Sequence, residues 1–179
     1  MTSSWLLLIY TVPAEPSRKR AAVWRDLKKV GAVYLRDGVG VLPDRDDTLR
    51  ALEAIAARVQ EFGGQVTLVR AAQLDPARAE AVIAQAHTAR AAEYAEVARE
   101  AERLVAHIWR EREHREFTFA ELEELEADLS KLKRWSEQIH ARDYFGVEEA
   151  RQVDGLLARC EEELASFLEE TFRQEEAAP

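Results

Sequence analysis

The sequence predicts a mixed α+β chain, with a sheet confined to the first 74 residues and helix throughout residues 75–179. Three observations carry this. Gly31, Gly38, Gly40, Gly63 and Gly64 all precede residue 74, leaving only Gly146 and Gly155 beyond it. Residues 1–73 hold 11 Lys+Arg against 8 Asp+Glu, net +3, whereas residues 74–179 hold 14 against 26, net −12. Apolar residues come in short runs in the first part and at helical spacing in the second.

Trp5 to Val12 is a continuous apolar run stopped by Pro13 and Pro16, as expected of a strand covered on at least one face. Ser17 offers a cap for a first helix, in which Val23, Trp24, Leu27 and Val30 share the inward face and Gly31 is the stop. Ala32–Leu35 and Val39–Leu42 flank Asp37-Gly38, a pair suited to the positive φ angles of a tight hairpin. Asp46 or Asp47 can cap a second helix with an apolar stripe of Leu49, Leu52, Ile55, Val59 and Phe62. Gly63-Gly64 ends it before a last strand, Gln65–Val69. The order βαββαβ is that of a ferredoxin-like domain, with two helices on one face of an antiparallel sheet. The other face or an edge then needs cover from the helical remainder or from a second copy, so a homodimer is expected.

From Pro76 to about Arg115 no glycine and no further proline occurs, and Ile83, Tyr94, Val97, Ala101, Leu104 and Ile108 form one stripe. Leu122, Leu125, Leu129, Leu132 and Ile139 form a second stripe, and Leu157, Cys160, Leu164, Phe167 and Leu168 a third. An antiparallel three-helix section follows.

No apolar run of about 18 residues is present, so a membrane span is not expected, and the chain reads as cytoplasmic. Cys160 is the only cysteine and sits on an apolar helix face, which suits a packing role. A net charge of −9 argues against a general nucleic-acid coat. The first helix departs from that average: Arg18, Lys19, Arg20, Arg25, Lys28 and Lys29 are opposed only by Asp26. With Trp24 turned inward, this face has no aromatic interleaving. It fits contact with DNA phosphates, or a solvated surface paired with acidic neighbours, and no helix-turn-helix is evident.

Glu111-x-x-His114 and Glu137-x-x-His140 have the spacing found in di-iron bundles, but an antiparallel hairpin sets His140 about 35 Å from the first pair at 1.5 Å per residue. His107, Glu111 and His114 share a helical face that could hold zinc, although chance spacing in a Glu-rich helix explains them as well. No metal and no cofactor is therefore expected. No phosphate loop, nucleophile elbow or Ser-His-Asp set is evident, and the chain does not read as an enzyme.

Trp5 to Pro13, then Arg18, Arg20, Trp24, Arg25, Leu27, Lys28 and Gly31-Ala32, then Gly38-Val39 with Leu42-Pro43, resemble the opening of the ChrB family. The likeness extends through Phe119–Leu122, Lys131–Trp135 and Ile139–Phe145. It implies a chromate-responsive transcriptional regulator that binds DNA beside a chromate transporter. Family members continue into a further C-terminal domain, whereas this chain ends at Pro179, so a separate sensing partner chain is one expectation. The first part also resembles the ferredoxin-like module of the phenylacetate repressor PaaX and, more distantly, small CRISPR-associated endoribonucleases. Those nucleases place a metal-binding aspartate where this sequence has Tyr10, Thr11 and Val12, and hydroxyl and apolar groups cannot hold a hard divalent ion.

If chromate is the effector, His87 and Arg90, which interrupt the long helix's apolar stripe, could meet it together with Arg134 beside Trp135, because guanidinium donors suit tetrahedral oxyanions. Pairing of Arg90 with a nearby glutamate explains it equally. The competing function is a non-catalytic protein-interaction or dimerisation module of a chromate resistance system, in which the acidic helices dock a partner.

Overall fold

A computed structural model describes residues 4–15, 17–115 and 117–176. Among these the order is β1 (Trp5–Thr11), α1 (Ser17–Lys29), β2 (Val33–Arg36), β3 (Val39–Pro43), α2 (Asp46–Glu61), β4 (Gln65–Ala71), α3 (Pro76–His114), α4 (Phe119–His140) and α5 (Glu148–Glu176). The chain divides into two compact units, Met1–Thr88 with Arg142–Phe145, and Ala89–Ala141 with Gly146–Pro179. The division falls inside α3, not ahead of it at 74/75, because the sheet needs the first turns of that helix.

In the first unit the sheet order is β2-β3-β1-β4, and every neighbouring pair is antiparallel. α1 and α2 each connect two strands across the one between them, which is the ferredoxin-like topology. Strand alternation sends Leu6 and Leu8 to one face, where Val23 and Leu27 of α1 and Leu52, Ile55 and Val59 of α2 bury them. Trp5, Val33 and Val41 belong to the opposite face, beneath Val82 of α3 and the partly buried Ile83, Ala86 and Phe145. The Trp5 and Phe145 rings are 6.0 Å apart, and Trp5 is 2% exposed. The expectation that the helical remainder could cover the second face is met in part within this unit, since Ile9 on that face stays 43% exposed.

The β2–β3 turn and the start of α2 differ from the sequence reading. In the β2–β3 turn only Gly38 takes a left-handed φ, 73°, and the register shifts between Tyr34 and Arg36, so the hairpin closes through a bulge and not through two positive-φ residues. The N-cap of α2 is Arg45, with Asp46 and Asp47 inside the first turn. Thr48 sets this start: its Oγ1 accepts from the Arg45 backbone N–H at 3.1 Å and lies 2.6 Å from the Pro43 carbonyl, to which it donates.

In the second unit Tyr94, Val97, Ala101, Leu104 and Ile108 of α3 pack with Leu122, Leu125, Leu129, Leu132 and Ile139 of α4 and with Val153, Leu157, Cys160, Leu164 and Phe167 of α5. Thr118 caps α4, its Oγ1 accepting from the Glu121 backbone N–H at 3.2 Å. α3 and α4 run antiparallel, since Tyr94 meets His140 at one end and His107 meets Glu121 at the other. The pairs Lys133–Glu161 and His140–Asp154 set α5 antiparallel to α4. Arg112 joins α3 to α5 through Glu163 at 2.5 Å and Glu170 at 3.2 Å. No helix among the described residues is long and apolar enough to cross a membrane.

Candidate nucleic-acid interface

α1 buries Ala22, Val23 and Leu27, which places its inward face around positions 23 and 27. A residue one step on is turned by about 100°. Trp24 is accordingly 46% exposed, which corrects the expectation that it points inward. Arg20, Trp24 and Lys28, four residues apart, form one stripe, with the Lys28 ammonium 4.5 Å from the centre of the indole. An aromatic side chain therefore does interleave the basic residues.

This stripe borders a groove of about 740 Å³ whose walls include Tyr10, Thr11, Val12, Arg20, Trp24, Tyr34 and Arg36. The groove floor is fixed from the backbone: the Tyr10 N–H donates to the Gly38 carbonyl at 2.8 Å, and a Cβ on Gly38 would stand 2.5 Å from the Tyr10 carbonyl oxygen. Tyr10 and Tyr34 hydroxyls lie 3.4 Å apart. Burial, aided by that hydrogen bond, pushes the Tyr34 hydroxyl far above the usual phenol range, so it stays a neutral donor or acceptor.

The six basic residues of α1 are not equivalent. Arg18, Arg20, Arg25, Lys28 and Lys29 are exposed. Lys19 is half-buried and donates to the Phe62 carbonyl at 3.1 Å, closing the C-terminal end of α2. Asp26, the one acid on this helix, is held by Arg58 at 2.8 Å and so does little to neutralise its basic neighbours. Among the described residues no salt bridge engages the five exposed cations.

The residues considered for an oxyanion are placed differently from one another. His87 belongs to the first unit, with its ring 6.3 Å from that of Phe145. Arg90 and Arg134 belong to the second unit. There Arg90 is 7% exposed and bound to Glu93 at 3.1 Å, and Arg134 is exposed. In the same unit His107 lies with Glu111 and Glu121, while His114 is exposed and His140 pairs with Asp154 at 3.0 Å. Glu121 was not picked out from sequence, although the cap signal Thr118-x-x-Glu121 at the start of α4 places it opposite the end of α3 once the two helices fold back.

Fold and groove together define a two-unit α+β protein whose ferredoxin-like part carries a cationic, aromatic-lined surface. The family described as Protein ChrB, N-terminal, matches residues 20–178. The chain belongs to this family. It is also 33% identical over 67 residues to Protein ChrB of Cupriavidus metallidurans, a stretch covering 37% of this chain and 21% of that protein.

Proposed function

We propose that the chain is the DNA-binding part of a chromate-responsive regulator, acting in the cytoplasm without catalysing a reaction. Family membership ties it to chromate resistance, and the observation that carries DNA contact is the exposed Arg20–Trp24–Lys28 stripe beside the groove. Arg18, Arg25 and Lys29 extend the positive surface along the helix. Such cations hold phosphates without reading sequence, while an indole exposed between them supplies a stacking or apolar contact. A homodimer would present two such surfaces to a two-fold operator, and chromate, bound here or by a separate sensing chain, would alter the fit.

The test is binding of purified protein to its own upstream duplex and to a scrambled duplex across salt concentrations, with and without chromate. Tighter binding to the native duplex, weakened by salt and changed by chromate, supports the proposal. Equal binding to both duplexes, or none, rejects it.

A partner-docking module is favoured by a different observation. Phe119 and Phe172 stand 38% and 49% exposed with their rings 5.5 Å apart on the acidic second unit. Such an aromatic pair suits an apolar partner surface. Arg18, Arg20 and Arg25 replaced by Gln separate the readings: DNA retention is lost under the first and partner capture is untouched under the second.

A further inference from the structure

His107 and Glu111 lie one turn apart near the end of α3, and Glu121 comes from the first turn of α4. His107 Nε2 is 3.3 Å from Glu111 Oε1 and 3.2 Å from Glu121 Oε1, and one potential ligand atom from each residue lies within 4.8 Å of the others. A single imidazole nitrogen carries at most one proton, so it cannot make a good hydrogen bond to both carboxylates at once. Glu111 is moreover 8% exposed, and its second oxygen, Oε2, is buried with no hydrogen-bond partner. A buried carboxylate with a bare oxygen calls for a further cation.

We propose that His107, Glu111 and Glu121 bind one first-row divalent cation. The Nε2 lone pair and one oxygen from each carboxylate would supply three ligands. Bonds of about 2.0–2.2 Å place neighbouring ligand atoms about 2.8–3.1 Å apart in octahedral sites and about 3.3–3.6 Å apart in tetrahedral ones, and both nitrogen–oxygen separations fall at or between these ranges. One imidazole with two carboxylates suits Mn²⁺, Fe²⁺ or Zn²⁺ better than Ca²⁺, which takes oxygen ligands. The remaining positions are for water, and His107 also lines a cleft of about 370 Å³. The ion joins the end of α3 to the start of α4.

The test uses the whole chain, dialysed against chelator and titrated with Mn²⁺, with free Mn²⁺ read by electron paramagnetic resonance and stability read by thermal unfolding. The expected result is one ion per chain and a rise in Tm on adding Mn²⁺. Glu111→Gln and Glu121→Gln should each weaken binding by about 10–100-fold and abolish the rise, whereas Glu113→Gln, at an exposed site on α3, should change neither. Without metal, Glu111→Gln should melt no lower than the unaltered chain, because it removes a poorly satisfied charge. Less than about 0.1 ion per unaltered chain at saturating Mn²⁺, or binding undiminished in both Gln variants, would overturn the proposal. If one variant fails to fold, the stoichiometry of the unaltered chain and the other variant decide.

Discussion

On the water-facing side of α1, the Lys28 ammonium sits 4.5 Å from the centre of the Trp24 ring, one helical turn away. The ring is thereby held in the open beside a cation without a core to fix it. Trp24→Ala should weaken DNA binding by about 1–3 kcal/mol, the range for losing a stacking aromatic, while lowering folding stability by less than about 1 kcal/mol. Trp5→Ala, at a 2% exposed site, should instead cost about 3–5 kcal/mol of stability. Anisotropy titrations and urea melts of the two variants check the contrast.

Charge on α1 should be visible in the salt dependence. If Arg18, Arg20 and Arg25 each meet a phosphate, the triple Gln variant should flatten the slope of log K against log salt by about 2.7, roughly 0.9 per contact. An unchanged slope would place the contacts elsewhere.

Cys160 is fully buried, and its Sγ donates to the Ala101 carbonyl at 3.4 Å. Burial pushes its thiol up to about 11 from 9.0. The folded-state value is the higher one, so the thiol's contribution is whole below pH 9.0 and fades as pH rises toward about 11. The unaltered chain should lose on the order of 1–2 kcal/mol more than Cys160→Ala over that window, measured by urea melts at each pH. Thiol reagents at pH 8 should label the folded chain far more slowly than the unfolded one.

Two glycines should respond oppositely to alanine. A Cβ on Gly64 would stand 2.2 Å from the Thr11 carbonyl oxygen and 2.8 Å from Val59 Cγ1, so Gly64→Ala should destabilise by more than about 2 kcal/mol. Gly155 lies within α5 with nothing within 4 Å of an added Cβ, so Gly155→Ala should stabilise by about 0.5–1 kcal/mol. Thermal melts of both variants suffice.

Much of the fold was legible because its signals are local. The Pro13 stop, the Asp37-Gly38 turn, the Gly63-Gly64 stop and three apolar stripes each mark an element, and those elements appear with ends shifted by a few residues. The βαββαβ order then led to the sheet topology. Trp24 was misjudged because hydrophobicity alone placed it with Val23 and Leu27, although the stripe of cations around it has the same four-residue spacing. Ile83 shared a sequence stripe with Tyr94, yet it packs on the sheet while Tyr94 belongs to the helical core. Periodicity says which residues are apolar together; it does not say which core receives them. Glu121 needed the pairing of α3 with α4, information held by no single segment.

The roof over the sheet has a further meaning for assembly. Val82, Ile83, Ala86 and Phe145 sit on the end of the face that carries Trp5, Val33 and Val41, while Ile9 on the same face stays 43% exposed and its strand partner Thr67 is exposed. Stacking the Trp5 ends of two sheets would first require stripping the first turns of α3 away. Open sheet is left at the Ile9 end, where a contact can form and separate while the Trp5 end keeps its own cover.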